Sequence, residues 1–358
     1  MNIKTFIIVA VIKIVLVVFI LLTGVAYTTL LERKLVARIQ NRWGPTRVGP
    51  FGLLQPLADG VKFILKEDMV PDSAHKVLYI LAPMLALAMA LISIAVIPFG
   101  PTMTVHGTTT ALQITGVAPS SGGATDINIG LLIILGATSV GVYGVALAGW
   151  SSNSKYSLLG SLRASAQMIS YELALGLSLV GVLLLSGSLS LREIVNAQGK
   201  APWFGWLPHW YIFPQLIGFF IYLMAAYAET NRIPFDLPEA ETELVAGYHT
   251  EYSAMKFAMF FMAEYMNMIT VACLATLLFF GGWHGYVPAA APPIVQSLLP
   301  VVWFAVKVFF FMFLYIWVRG TLPRFRYDQL MAFGWKFLLP LAIANIVITS
   351  FIVAWRAS

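Results

Sequence analysis

Residues 228–262 read AETNRIPFDLPEAETELVAGYHTEYSAMKFAMFFM, and seven of the chain's sixteen carboxylates (Glu229, Asp236, Glu239, Glu241, Glu243, Glu251 and Glu264) fall in or directly beside this segment. Apolar runs of about twenty residues lie on both sides, the length a helix needs to cross hydrocarbon. The acids therefore stand where two membrane spans meet water. Asp236 and Glu239 have the spacing of a capping box and Gly247 offers a C-terminal stop, which predicts a helix between them. On it Glu239 and Glu243 share a face, Glu241 turns away and Glu251 follows further along. One reading is a solvated charge run that complements the helix dipole. The other is a proton pathway. Ile233, Phe235, Leu237, Leu244, Val245, Tyr248, Tyr252 and Phe257 interleave with the acids and favour the second. A helix packed on protein at membrane level holds carboxylates that exchange protons more readily.

Working outward, the composition agrees. The chain is 59% hydrophobic and 11% charged, with a mean hydropathy of +0.83, which excludes a soluble globular domain. The expected fold is all-α, a polytopic membrane protein forming a single transmembrane domain over residues 1–358. Eight spans can be read, at about 6–31, 76–98, 127–150, 163–186, 210–229, 254–280, 296–318 and 329–355. The first is too long for a signal peptide and lacks a small-residue cleavage site. Cys273, the single cysteine, lies in an apolar run and reads as a small buried hydrophobe.

Charge sets the expected orientation. Sixteen of the 22 Lys and Arg fall between spans one and two, three and four, five and six, and seven and eight, or in the span ends that border those segments. By the positive-inside rule these segments (32–75, 151–162, 230–253 and 319–328) are inner loops and both termini lie outside. This clustering also argues against nucleic acid as the reason for the net charge of +6. The outer loops are rich in Gly, Pro, Ser, Thr and aromatics, with His106, His209 and His284 scattered at no metal-ligand spacing. Within them, residues 188–197 suggest a short interfacial helix.

The inner loops carry the information. Loop one opens with Glu32, Arg33, Lys34, Arg38 and Arg42, passes a Gly/Pro-punctuated turn at 44–52, and continues into an amphipathic segment from Leu53 to Leu65. There Leu53, Leu54, Leu57, Val61, Ile64 and Leu65 recur at helical spacing opposite Asp59, Lys62 and Lys66. The segment reads either as a surface helix or as the wall of a lipophilic entrance. The basic cluster beside it is also what topology setting and anionic lipid contact would require. Glu172 falls inside span four, where a charge costs about 2.5 to 3.5 kcal/mol, so it is expected to face the bundle. Glu264 and Lys307 also fall inside spans, as an ion pair or as independent proton sites, and Lys13 is placed to snorkel. The sequence contains no phosphate cradle, nucleophile elbow, Cys pair or HExxH, so a stand-alone catalytic centre is not expected.

Several strings together carry a resemblance: ERKLVARIQNRWGP with GLLQPLADGVKFILKED, then GWSSNSKYSLLGSLRASAQMISYE, AETNRIPFDLPEAETELVAGYHTEYSAMKF, and VRGTLPRFRYDQLM with WKFLLP. In this order they resemble the family of quinone-site membrane subunits of respiratory NADH:quinone oxidoreductase, complex I. The match spans all four inner loops and departs at none of their charged positions. The resemblance implies an eight-span heel joining a hydrophilic electron-transfer arm to antiporter-like membrane subunits. It implies that quinone, expected to be ubiquinone, enters through a tunnel bordered by Glu32, Arg33, Arg38, Arg42, Asp59 and Phe235. An acidic proton route would run through Glu172, Glu229, Asp236, Glu239, Glu241, Glu243, Glu251 and Glu264. Iron-sulfur clusters and FMN would reside in partner subunits, no metal in this chain, and the partners would include hydrophilic-arm subunits, small membrane subunits and lipid. The membrane would be a bacterial cell inner membrane or, for an organelle-encoded chain, the mitochondrial inner membrane. A solute or ion transporter would be expected to show two similar halves, and no internal repeat is visible. The membrane subunit of an energy-converting hydrogenase would share the heel role without a quinone, and a pure anchor would leave Glu172 without a reason.

Overall fold

A computed structural model describes residues 3–105, 108–111, 127–199, 208–236, 245–288 and 292–357. These form a helical membrane bundle, with one short antiparallel hairpin of β1 (Thr102–Val105) and β2 (Thr108–Ala111) in the segment between the second and third long helices. Among the described residues seven helices are long and apolar enough to cross a membrane.

The first, α1 (Ile3–Ile39), runs well past the apolar stretch that ends near residue 31. Residues 32–39, ERKLVARI, contain no Gly or Pro, so nothing stops the helix until Asn41 turns left-handed at φ 54 and Gly44-Pro45 follows. Glu32, Arg33 and Arg38 are therefore helix residues rather than loop residues. The amphipathic helix α2 (Gln55–Leu65) forms as its spacing predicts, with Pro56 in its first turn. Next come α3 (Lys76–Ala95) and α4 (Gly130–Ser151), which approach closely because Gly144 sits against Ala86: an added Cβ would lie 3.0 Å from the Ala86 Cβ. Helix α5 (Lys155–Ser186) begins earlier than the apolar run at 163, taking in the polar stretch up to Arg163, and ends at the left-handed Gly187, whose N–H donates to the Leu183 carbonyl.

A short α6 (Leu191–Ala197) is capped by the Ser190 hydroxyl, which accepts from the Glu193 N–H. It occupies the segment expected to form an interfacial helix. The apolar run at 210–229 contributes a helix of only 14 residues, α7 (Leu216–Glu229). Pro214 explains the late start, since the residue before a proline is disfavoured in helix and proline cannot donate its own N–H. The bundle closes with α8 (Ala254–Phe279), α9 (Pro293–Thr321), and a last helix in which α10 (Tyr327–Phe333) passes through a π-helical turn, Gly334–Leu338, into α11 (Leu339–Ala357).

Helix α5 is central, packing on α4, α7, α11 and the turn at 247–249. Tyr79, Tyr171, Tyr222, Phe235, Phe279 and Phe311 are among the fully buried large side chains. Some of the buried polar groups of this interior are paired across helices. Asn345 donates to Gln215 at 2.8 Å, and Gln215 donates to Thr349 at 2.8 Å. In a hydrocarbon surrounding, such bonds hold helices together. Outward, Val15 and Phe19 on α1, Val306 and Phe310 on α9, and Val347 and Phe351 on α11 are exposed, as expected of surfaces covered by lipid or neighbouring helices.

Candidate functional site

The basic end of the bundle holds a cavity of about 490 Å³ lined by Glu32, Arg33, Val36, Arg42, Trp43, Gly44, Pro45 and Arg319. Its walls are the last turns of α1, the turn that follows, and the end of α9. Glu32 is its one carboxylate and is buried. Its oxygens accept from the Tyr265 hydroxyl at 2.5 Å, from Arg232 Nη1 at 3.5 Å, and from Arg319. Arg232 in turn places Nε 2.7 Å from Glu264, and its guanidinium lies 4.2 Å above the Tyr265 ring. Arg324 reaches Asp236 at 3.3 Å. Three carboxylates thus face three guanidiniums contributed by α1, α8, α9, the segment just after α9 and the turn after α7. The buried pairs of Arg232 with Glu32 and Glu264 persist because each charge has a partner, and removing one partner of such a pair costs about 3 to 5 kcal/mol.

The turn that carries Arg232 is fixed from α5. Gln167, wholly buried, donates through Nε2 to the Ala228 carbonyl at 2.9 Å, the Phe235 carbonyl at 2.8 Å and the Asn231 side chain at 3.2 Å. Phe235 is buried between Tyr171 and Phe325, with ring centroids at 5.8 and 5.5 Å. It anchors the turn rather than lining the cavity.

Beyond the turn lies a second acidic pair. Glu229 at the end of α7 and Glu172 in the middle of α5 are within electrostatic reach of each other. The Thr138 and Ser139 hydroxyls of α4 stand against them, Ser139 donating to Glu172. Tyr315 of α9 stacks on Tyr227 at 3.9 Å and lies within electrostatic reach of both Glu229 and Arg232.

The remaining expected residues distribute as follows. Asp59 pairs with Arg33 at 2.7 Å and accepts from Gln55 at 3.1 Å, so it tethers α2 to α1. Arg38 stacks over Trp43 at 4.2 Å on the rim, outside the cavity lining. Glu251 is half-buried in the turn before α8, and its carbonyl accepts from the Tyr79 hydroxyl at 2.5 Å. Glu239, Glu241 and Glu243, with the helix expected between Asp236 and Gly247, lie outside the described residues. At the end of that segment His249 is buried among Tyr248, Phe257 and Phe260. Burial there pulls its imidazole down to about 3, so it is neutral at neutral pH.

An ion pair between Glu264 and Lys307 does not form. Glu264 is taken by Arg232, whereas Lys307 lies at the opposite end of the bundle, donating to the carbonyls of Phe280, Gly282 and His284 at 2.8, 2.9 and 2.7 Å. The carbonyls left over where α8 stops are a ready partner for an ammonium group. Arg232, Arg319, Gln167, Tyr265 and Tyr315 escaped sequence reasoning. Arg232 alone left a signal, as the one cation between Glu229 and Glu251.

Helices of spanning length around a cluster of paired ionisable side chains define a polytopic membrane protein with charged groups inside its bundle. Residues 12–350 match the NADH dehydrogenase family. The chain is 72% identical over 357 residues to the H 2 subunit of NADH-quinone oxidoreductase from Koribacter versatilis, covering 99% of each. It is 50% identical over 404 aligned positions to the H 1 subunit of the Solibacter usitatus oxidoreductase, covering 98% of each. It is 53% identical over 341 residues to the H 1 subunit from Geobacter sulfurreducens, covering 95% of this chain and 93% of that one. The chain belongs to this family, the H-type membrane subunits of respiratory complex I.

Proposed function

We propose that this chain forms the membrane side of a quinone tunnel in a proton-translocating NADH:quinone oxidoreductase, and that it couples quinone reduction to charge movement in the membrane arm. One observation carries the reading: Glu32 lines the cavity and also pairs with Arg232, which holds Glu264. An event in the cavity is thereby one residue away from the buried acids.

The chemistry suits a quinone. A neutral headgroup with an isoprenoid tail needs an apolar approach and a few polar groups at its mouth. The exposed apolar side chains of α2 offer the approach, with Arg33 and Asp59 joining that helix to the cavity wall. Reduction makes an oxyanion that takes up protons, and Arg33, Arg42 and Arg319 favour the charged form until it does. A changed field at Glu32 alters its hold on Arg232, which shifts the balance at Glu264 and Asp236. Past Tyr315, Glu229 and Glu172 carry the disturbance sideways. Glu239, Glu241, Glu243 and Glu251 belong to the same route in this reading. The coupled acids titrate as a group rather than singly.

Electrons come from FMN and iron-sulfur clusters held by hydrophilic-arm partners, and the recipients of charge are the small and antiporter-like membrane subunits. The site of action is a bacterial cell inner membrane. There α7 supplies the eighth span, the basic segments face inward, and both termini lie outside.

The test uses the assembled complex. Glu264→Gln and Glu32→Gln are expected to lower quinone reduction and its linked proton uptake by about tenfold, for a change of about 1.4 kcal/mol in the limiting step. NADH oxidation by a hydrophilic artificial acceptor stays unchanged. Full quinone-linked pumping in both variants contradicts the reading.

A further inference from the structure

We infer that Lys256 is a positioning residue for quinone reduction: through Asp68 it sets the angle at which α2 offers its apolar face to the quinone tail. The inference rests on the quinone-tunnel reading above and adds a residue that no step of that reading uses. Lys256 stands in the first turn of α8, buried, with its ammonium 2.9 Å from the Asp68 carboxylate and 5.0 Å above the Tyr79 ring. Asp68 follows the end of α2 at Leu65 and is the one anion paired with Lys256 among the described residues. The two side chains differ in exposure, Lys256 at 9% and Asp68 at 47%. The carboxylate has water as an alternative partner and the ammonium has little, so leaving Lys256 unpaired is the costly event. The pair therefore draws the end of α2 onto the bundle.

The platform under the ammonium is well fastened. Tyr79 stacks on Tyr252 with ring centroids 4.2 Å apart and planes 5° from parallel. The Tyr79 hydroxyl donates to the Glu251 carbonyl, and the Tyr252 hydroxyl donates to the Tyr79 carbonyl at 3.2 Å. The chain entering α8 is thereby tied to α3 at the same ring whose face attracts the cation.

Helix α2 needs this second hold. Its other ion pair, Arg33 with Asp59 at 2.7 Å, is partly exposed, a setting in which a salt bridge contributes little. One point of attachment also leaves a helix free to swing about it. Asp59 lies about 9 Å along the axis from the helix end at Leu65, and Asp68 is fixed beyond that end. Between them Phe63 meets Phe257, the neighbour of Lys256, with ring centroids 6.3 Å apart. Two separated attachments fix the direction in which Leu57, Val61, Ile64 and Leu65, all exposed, present their side chains. In the tunnel reading the tail of a quinone passes these side chains while its headgroup occupies the cavity. A change in the angle of α2 is then felt by the tail and not by the headgroup.

The experiment uses the assembled complex in lipid vesicles, with one quinone bearing a long isoprenoid tail and another bearing a single isoprenoid unit. Asp68→Asn and Lys256→Met are each expected to raise KM for the long-tailed quinone about fivefold with kcat within about twofold, and to leave KM for the short-tailed quinone unchanged. The double variant is expected to match the single ones, because all three lose the same contact. Lys256→Arg and Asp68→Glu are expected to keep the wild-type KM. Should Lys256→Met fail to assemble, Asp68→Asn, altered at an exposed position, carries the measurement. A KM rise shared by both quinones, a kcat loss alike with both, an additive double variant, or a wild-type KM in Asp68→Asn overturns the inference and leaves the pair a purely structural bond. If Glu32→Gln and Glu264→Gln keep full quinone-linked pumping, the tunnel reading fails; if they lose it while Asp68→Asn treats both quinones alike, only the role of Lys256 fails.

Discussion

At Arg232, carboxylates from two helices meet one guanidinium whose plane also rests on Tyr265. Arginine suits the place because its planar fork can serve several acceptors while stacking, which a lysine ammonium cannot. Its position depends on Gln167, which donates to three acceptors in the 228–235 turn. Gln167→Leu is expected to leave these carbonyls without a donor in a dry site, costing about 1 to 3 kcal/mol. It should lower the thermal midpoint of the chain in the assembled complex and reduce quinone reduction, while Gln167→Glu retains an acceptor but no donor and fares no better. Wild-type melting and rate in the leucine variant would show that the turn holds itself.

At the scale of elements, α5 owes its contacts to small residues. A Cβ at Gly160 would stand 2.6 Å from the Gly247 Cα, whereas one at Gly176 on the same helix meets nothing within 4 Å. Gly160→Ala is therefore expected to push the 247–249 turn off α5 and destabilise by about 1 to 3 kcal/mol. Gly176→Ala is expected to be neutral or to stabilise by up to about 1 kcal/mol. Parallel thermal denaturation of the two purified variants checks the contrast, and equal losses would rule it out. Elements of this kind were largely readable from hydropathy and spacing, α2 most directly. Their ends were less so: residues 32–39 lack apolar bias yet continue α1, and one proline trims α7 to 14 residues. The site was half legible. Buried acids announce themselves singly in an apolar chain, as Glu172 does. Their partners do not, since the pairing of Glu32 with Arg232, or of Glu229 with Glu172, joins residues whose distance along the chain carries no periodicity.

For the whole molecule, the number of crossings decides which groups share a compartment. In the eight-span arrangement, position 66 after α2 and position 356 near the C-terminus face opposite sides. With α7 confined to one leaflet they face the same side. The buried Cys273 gives little background, so single cysteines at Lys66 and Arg356 can be read with a membrane-impermeant maleimide. Labelling of Arg356→Cys in intact cells, and of Lys66→Cys only in inverted vesicles, is the expected outcome. The same sidedness for both would remove the eighth crossing.

The ammonium of Lys307, fastened to three backbone carbonyls and set 4.8 Å over the Trp210 ring, also has a bearing on energy conservation. A protein that shuttles protons inside an energised bilayer is in danger of a short circuit, in which hydronium runs straight down the voltage. Under the proposed function, an ammonium held at the far end of the bundle would oppose that leak.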